Sequence, residues 1–160
     1  MYKLSKNFNL IEFIKSSTAS RLNIDNTPSN DVINNLKNLC INVLQPLRDK
    51  YGSYISINSG YRSKELNTAI GGSKTSDHCY GYAADIDTID DNIEIFNIIK
   101  DNFKFDQLIA EMNDDGKPSW IHVSFKDTNR NQLLIAYKDG NKTRYSLYSD
   151  KLFNEIYSNT

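Results

Sequence analysis

Residues 57–87 read INSGYRSKELNTAIGGSKTSDHCYGYAADID. The segment opens inside an alternating run, YISINSGYRS at 54–63, the period of a half-buried strand. Gly60 and the polar residues after it end that run ahead of a short helix expected at 63–70. IGGSKTSDH is turn material, and AADIDT at 83–88 is a second short strand. One loop therefore carries His78 seven positions ahead of Asp85, the first aspartate of an alternating pair, in a chain with only two histidines.

Outward from this stretch, the N-terminal side is helical. FNLIEFIKSSTASRLNIDNTPS predicts a short helix near 10–16, a second turn, and an extended piece stopped by Pro28, together an arm over 1–28 that packs onto the domain. From Ser29, apolar residues at Val32, Ile33, Leu36, Leu39, Cys40, Val43, Leu44 and Leu47 follow i, i+3, i+4, i+7 spacing, so an amphipathic helix is expected, kinked by Pro46 and stopped at Gly52. On the C-terminal side NIEIFNIIKDNF predicts another helix. FDQLIAEM, SWIHVSF, NQLLIAYKDG and RYSLYS then read as four short strands separated by NDDGKP, KDTNRN and DGNK. Helices first and an antiparallel meander after them place the chain in the α+β class. With 160 residues and no repeat or low-complexity linker, a single domain over 1–160 is expected, large enough to fold without disulfides or a structural metal.

Composition narrows the function classes. The formal net charge is −1, so no broad basic face argues for nucleic acid or an anionic membrane surface. Two cysteines, Cys40 and Cys79, are too few for a disulfide framework, and Cys40 falls on the apolar stripe of the expected helix. MYKLSKNFNLIEF has no apolar run suited to a signal peptide, and nothing later approaches a membrane span. The expectation is a soluble protein made in the cytoplasm, monomeric, without nucleic-acid partner or membrane insertion.

His78, Asp85 and His122, the last inside WIHVSF, form a set of two imidazoles and one carboxylate. That is the ligand count of a catalytic zinc site with its fourth position open. Spacing alone decides little, because a histidine on a strand is more often a hydrogen-bonded core residue than a ligand.

The wider motif set is specific. SGYRS, the LN and GG after it, S-x-H-x-x-G-x-A-x-D-I and W-x-H-V, in this order over about residues 55–125, resemble the zinc D-alanyl-D-alanine carboxypeptidase family of peptidoglycan peptidases, whose hedgehog-like fold is shared with hedgehog signalling domains. The N-terminal arm and VLQPLRDKYG are similar to small phage and bacterial members. The resemblance implies one zinc ion held by His78, Asp85 and His122 on a mainly antiparallel sheet. It also implies that Arg62 of SGYRS engages substrate or developing oxyanion, a task suited to a permanently charged fork of donors. Ser76 matches a substrate-contacting position, although serine before a turn commonly caps backbone groups instead.

The general base is where the chain departs from the pattern. Many members carry glutamate three positions before the second histidine, and here that residue is Ser119. Glu111 is the replacement expected on geometric grounds. If QLIAEM and WIHVSF pair around NDDGKPS with Glu111 opposite Trp120, Glu111 shares a face with His122 and lies diagonal to it; a slip of one residue turns it away. Small members with the same QLI-x-E and WIHVS wording share this glutamate. Asp114 and Asp115 read better as turn residues. Cys79, adjacent to His78, is poorly placed to join it on one tetrahedral ion. Asp87 could accept from a ligating imidazole or be a solvated strand-end carboxylate, and Trp120, Tyr80 and Tyr82 could line a cleft or pack.

The implied activity is hydrolysis of peptidoglycan stem peptides at D-Ala-D-Ala or L-Ala-D-Glu type bonds. The small size suits an endolysin that reaches the wall after release or delivery. A rival reading keeps the fold and zinc but makes the domain a non-catalytic wall- or protein-binding module, and Ser119 is the feature that favours it.

Overall fold

The computed structural model describes residues 2–158. The elements run α1 Leu10–Ile14, α2 Ser17–Leu22, α3 Asn30–Leu39, α4 Gln45–Tyr51, β1 Ser56–Ser59, α5 Lys64–Ala69, β2 Ala83–Asp87, α6 Asn92–Asn102, β3 Gln107–Met112, β4 Pro118–Ser124, β5 Gln132–Asp139, β6 Lys142–Leu147 and α7 Asp150–Ser158. The class is α+β, with a six-stranded sheet ordered β1-β2-β4-β3-β5-β6.

The long N-terminal helix is divided, and its division follows from Pro46. Ser29 caps α3 by accepting from the Val32 amide at 3.3 Å. Between α3 and α4 the chain makes a π-helical turn, Cys40–Leu44, in which the Gln45 amide reaches back to the Cys40 carbonyl. Proline has no amide to continue the ladder and its ring crowds the carbonyl four residues back, so the turn before it widens rather than simply bending. Gly52, at φ +79°, ends α4 in the left-handed conformation.

The sheet corrects one expectation. The C-terminal strands do not form an antiparallel meander, because β5 runs parallel to β3, with Gln107 opposite Gln132 and Glu111 opposite Ala136. Both edges of β4 are already taken, by β2 and β3, so the next strand must pass β4 and use the open edge of β3. The crossing at 125–131 is tied across the end of the sheet. The Asn131 amide donates to the Phe105 carbonyl and the Gln132 amide to that of Asp106, each at 2.9 Å. Arg130 grips the buried Asp106 carboxylate through two bonds, at 2.9 and 2.8 Å. The other strand pairs are antiparallel. A second difference is α7, a stretch for which no element was expected. Its Phe153 is buried and stacks on Phe96 at 6.3 Å.

One face of the sheet is the core side: Ala84, Ile86, Leu108, Ala110, Ile121, Val123 and Ile135 are buried with Leu36, Leu39, Leu44 and Phe96 from the helices. Alternation along the strands turns Asp85, Glu111 and His122 to the opposite face. The arm adds Leu4, Phe8 and Phe13 to the core, and Phe13 fixes the SGYRS segment. The Tyr61 amide donates to the Phe13 carbonyl at 2.7 Å, and a Cβ added at Gly60 would lie 2.6 Å from the Phe13 backbone. Glycine is needed there for close approach of two chain segments.

Candidate metal centre

His78, Asp85 and His122 converge. Asp85 of β2 stands opposite His122 of β4 in the antiparallel register, and His78 comes from a 3-10 turn, Asp77–Tyr80, that packs over the end of β2. One ligating atom from each residue lies within 4.8 Å of the others. Asp85 Oδ1 is 3.3 Å from His78 Nε2 and 3.0 Å from His122 Nδ1.

The donor set fits a tetrahedral ion. Metal–ligand bonds of about 2.0–2.1 Å at tetrahedral angles separate ligand atoms by about 3.3 Å. The tautomer argues the same way. His78 Nδ1 is 2.7 Å from the Gly60 carbonyl oxygen, which can only accept, so Nδ1 carries the hydrogen and Nε2 turns its lone pair toward a carboxylate oxygen. Burial pushes the His78 pKa down, toward the neutral imidazole that ligates, against the opposing pull of Asp85. Two lone pairs aimed at each other are relieved by a cation between them.

Arg62 extends the centre. Its Nη2 donates to Asp85 Oδ2 at 3.1 Å and its Nε to the Ser59 hydroxyl at 3.0 Å. The guanidinium thus occupies one carboxylate oxygen and leaves the other for the imidazoles. Arg62 also borders the cleft that contains the site.

Glu111 faces Trp120 across β3 and β4, the expected register, and both border the cleft with His122. Burial first, then the negative charge of Asp85, pushes its carboxyl up to about 7, against the opposing pull of His122. Ser119 is held differently: the Asn92 side-chain amide, through Nδ2, donates to its backbone carbonyl at 3.1 Å. Ser76 borders the cleft, while its hydroxyl accepts from the His78 amide at 3.3 Å and so helps set the turn that carries the histidine.

The remaining candidates separate. Asp87 contacts neither imidazole; it accepts from the Asn92 side chain at 2.7 Å and anchors the start of α6. Cys79 is a free, half-buried thiol outside the cluster. Asp114 and Asp115 are exposed in the β3–β4 turn. Tyr80 and Tyr82 stack on each other at 6.1 Å rather than bordering the cleft. Three features had no readable signal in the chain. They are the Gly60 carbonyl as partner of His78, the Lys126 ammonium bridging Asp77 at 2.7 Å and Asp106 at 3.5 Å beside the cleft, and the wall added by β5 and β6. Each depends on contacts between residues far apart in sequence.

The cleft holds about 820 Å³, room for a short peptide. Among the described residues no helix is long and apolar enough to cross a membrane. The family model described as Peptidase M15 matches residues 6–124, a span holding every ligand candidate together with Arg62 and Glu111. No curated protein matches the chain.

Proposed function

Starting from its membership of the peptidase M15 family, metallopeptidases that act on peptidoglycan, we propose that this chain is a zinc-dependent hydrolase of peptidoglycan stem peptides. The observation that carries the reading is Glu111, a carboxylate on the cleft face in register with Trp120 beside His122. It supplies the basic group missing at Ser119, and so favours an enzyme over a binding module of the same fold. A buried carboxyl pushed up to about 7 suits proton transfer in both directions near neutral pH.

His78, Asp85 and His122 would hold one zinc ion, whose charge when bound polarises a carbonyl and makes a neighbouring water more acidic. The Glu111 carboxylate takes a proton from the water that attacks the scissile carbonyl carbon. As the carbon–nitrogen bond breaks, Glu111 returns that proton to the leaving nitrogen, releasing a new carboxylate and a new amine. Arg62, fixed by Ser59 and Asp85, presents a permanent positive charge toward the negative charge developing on the carbonyl oxygen, and Ser76 holds the His78 turn in place while bordering the substrate path. In a lysis setting the same chemistry would make the protein an endolysin.

Purified zinc-loaded protein incubated with peptidoglycan should release new amino termini, and mass spectrometry of the fragments identifies the bond. Glu111→Ala should slow release by about 10²- to 10⁴-fold. Equal cleavage by variant and parent would remove Glu111 from the mechanism; no cleavage of any wall type would favour the binding module.

A further inference from the structure

The cleft continues beyond the residues that the family accounts for. The match ends at residue 124, yet Leu134, Ala136 and Lys138 of β5 and Thr143 and Tyr145 of β6 also border the cavity. Strand register explains how they reach it. Trp120, Glu111, Ala136 and Tyr145 are successive partners across β4, β3, β5 and β6, so they form one row on the cleft face, spaced about 4.8 Å per strand.

Within that row Ala136 is 1% exposed although it lies on the open face, so side chains on either side cover its methyl. Tyr145 is the large neighbour on one flank and Glu111 stands on the other. Trp120 and Tyr145, 38% and 58% exposed, are thus aromatic walls on the two sides of the catalytic carboxylate. Hydrogen bonding distinguishes Tyr145 from the tyrosines near it. Tyr148 donates to Asp150 at 2.8 Å and the Tyr137 hydroxyl pairs with Ser146 at 3.4 Å, whereas the Tyr145 hydroxyl has no protein partner among the described residues. Burial and the negative charges of Glu111 and Asp85 push its phenol up, so it keeps its proton and can donate. One row further along the hairpin lies Lys138, exposed and, among the described residues, bonded only to Thr143 at 3.4 Å.

We propose that the β5–β6 hairpin is a substrate subsite of this chain, in which the Tyr145 hydroxyl donates to a backbone carbonyl or carboxylate oxygen of the stem peptide bound alongside Glu111. Short-side-chained, carboxylate-bearing peptides suit it: the covered Ala136 leaves little depth for a large side chain, and Lys138 places a cation at the open end. Tyr145 is in this sense a specificity-determining residue, and its role rests on the peptidase reading above.

Two measurements test it. In zinc-loaded protein, Tyr145→Phe removes only the hydroxyl and should raise KM for a synthetic stem pentapeptide ending in D-Ala-D-Ala about five- to tenfold, with kcat within twofold, because a bond made equally to bound substrate and transition state affects KM alone. In the Glu111→Gln background, in which turnover is slowed enough for binding to be read, the same substitution should weaken pentapeptide binding by a similar factor in calorimetry. Unchanged KM and unchanged Kd overturn the inference even where the parent cleaves normally. If the parent cleaves nothing, the peptidase reading falls while the binding measurement still decides: weaker binding by Tyr145→Phe supports the subsite, and equal or absent binding overturns it.

Discussion

At Glu111 the proposed role as general base opposes stability. Its carboxyl stands at about 7 against an ordinary 4.5, raised by burial and by Asp85. A carboxyl raised in the folded state contributes stability that is fully present below pH 4.5 and is lost as pH rises through about 7, because the folded protein then carries an ionised group it solvates poorly. Glu111→Gln keeps the shape without the charge. In metal-free protein, urea unfolding should find the variant more stable than the parent at pH 8, by on the order of 2 kcal/mol, and nearly equal at pH 5. A difference that does not change between these pH values would refute the raised carboxyl. Added zinc should shrink the gap, since a cation nearby favours the carboxylate.

Local elements were legible where period and capping agree. The i, i+3, i+4 stripe from Val32 to Leu47 gave the α3–α4 region; alternation in QLIAEM and WIHVS gave two strands but left their register open, and the structure sets Glu111 against Trp120. The parallel pairing of β5 was not legible, because it is decided by which strand edge remains open, a property of the assembled sheet. Helix α7 did leave a sign, Leu152, Phe153 and Ile156 on one face, but a single short amphipathic stretch after a strand is weak. The candidate ligands came from motif resemblance; no spacing rule alone would have paired His78 with His122, 44 positions later. Gly60 shows how an element outside the centre controls it. Its carbonyl orients His78 and its missing side chain admits the Phe13 backbone of the arm. Gly60→Ala forces a backbone clash with no flexible atom to yield, so it should cost about 1–3 kcal/mol. By tilting the carbonyl it should also weaken zinc affinity by about tenfold. Gly52→Ala meets open space but strains the backbone at φ +79°, far from the centre, so it should lower stability and leave zinc affinity unchanged; comparable loss of affinity in both would mean that Gly60 acts only through general stability.

For the whole molecule the question is what the proposed zinc ion would contribute to folding. The helices and the core face of the sheet bury a continuous apolar cluster that runs from Leu4 in the arm to Phe153 in α7, and His78, Asp85 and His122 do not belong to it. The three proposed ligands instead sit on the opposite face, on two paired strands and a turn already held by Ser76 and Gly60. Unlike a small metal-dependent domain, this chain should therefore keep its fold when zinc is removed, with the site preformed. Binding to the folded state alone stabilises it by about 4 kcal/mol at a free zinc concentration a thousandfold above Kd. For a chain of this size that is a rise in Tm on the order of 10 °C. Chelator-treated protein should retain its circular dichroism and its dispersed amide resonances at 25 °C, then regain the higher Tm on zinc addition. His122→Ala should abolish the zinc-dependent rise while leaving the metal-free Tm within a few degrees of the parent's. Loss of amide dispersion on chelation would show instead that the sheet needs the ion to hold Asp85, His78 and His122 together, because their mutual desolvation then exceeds what the core supplies.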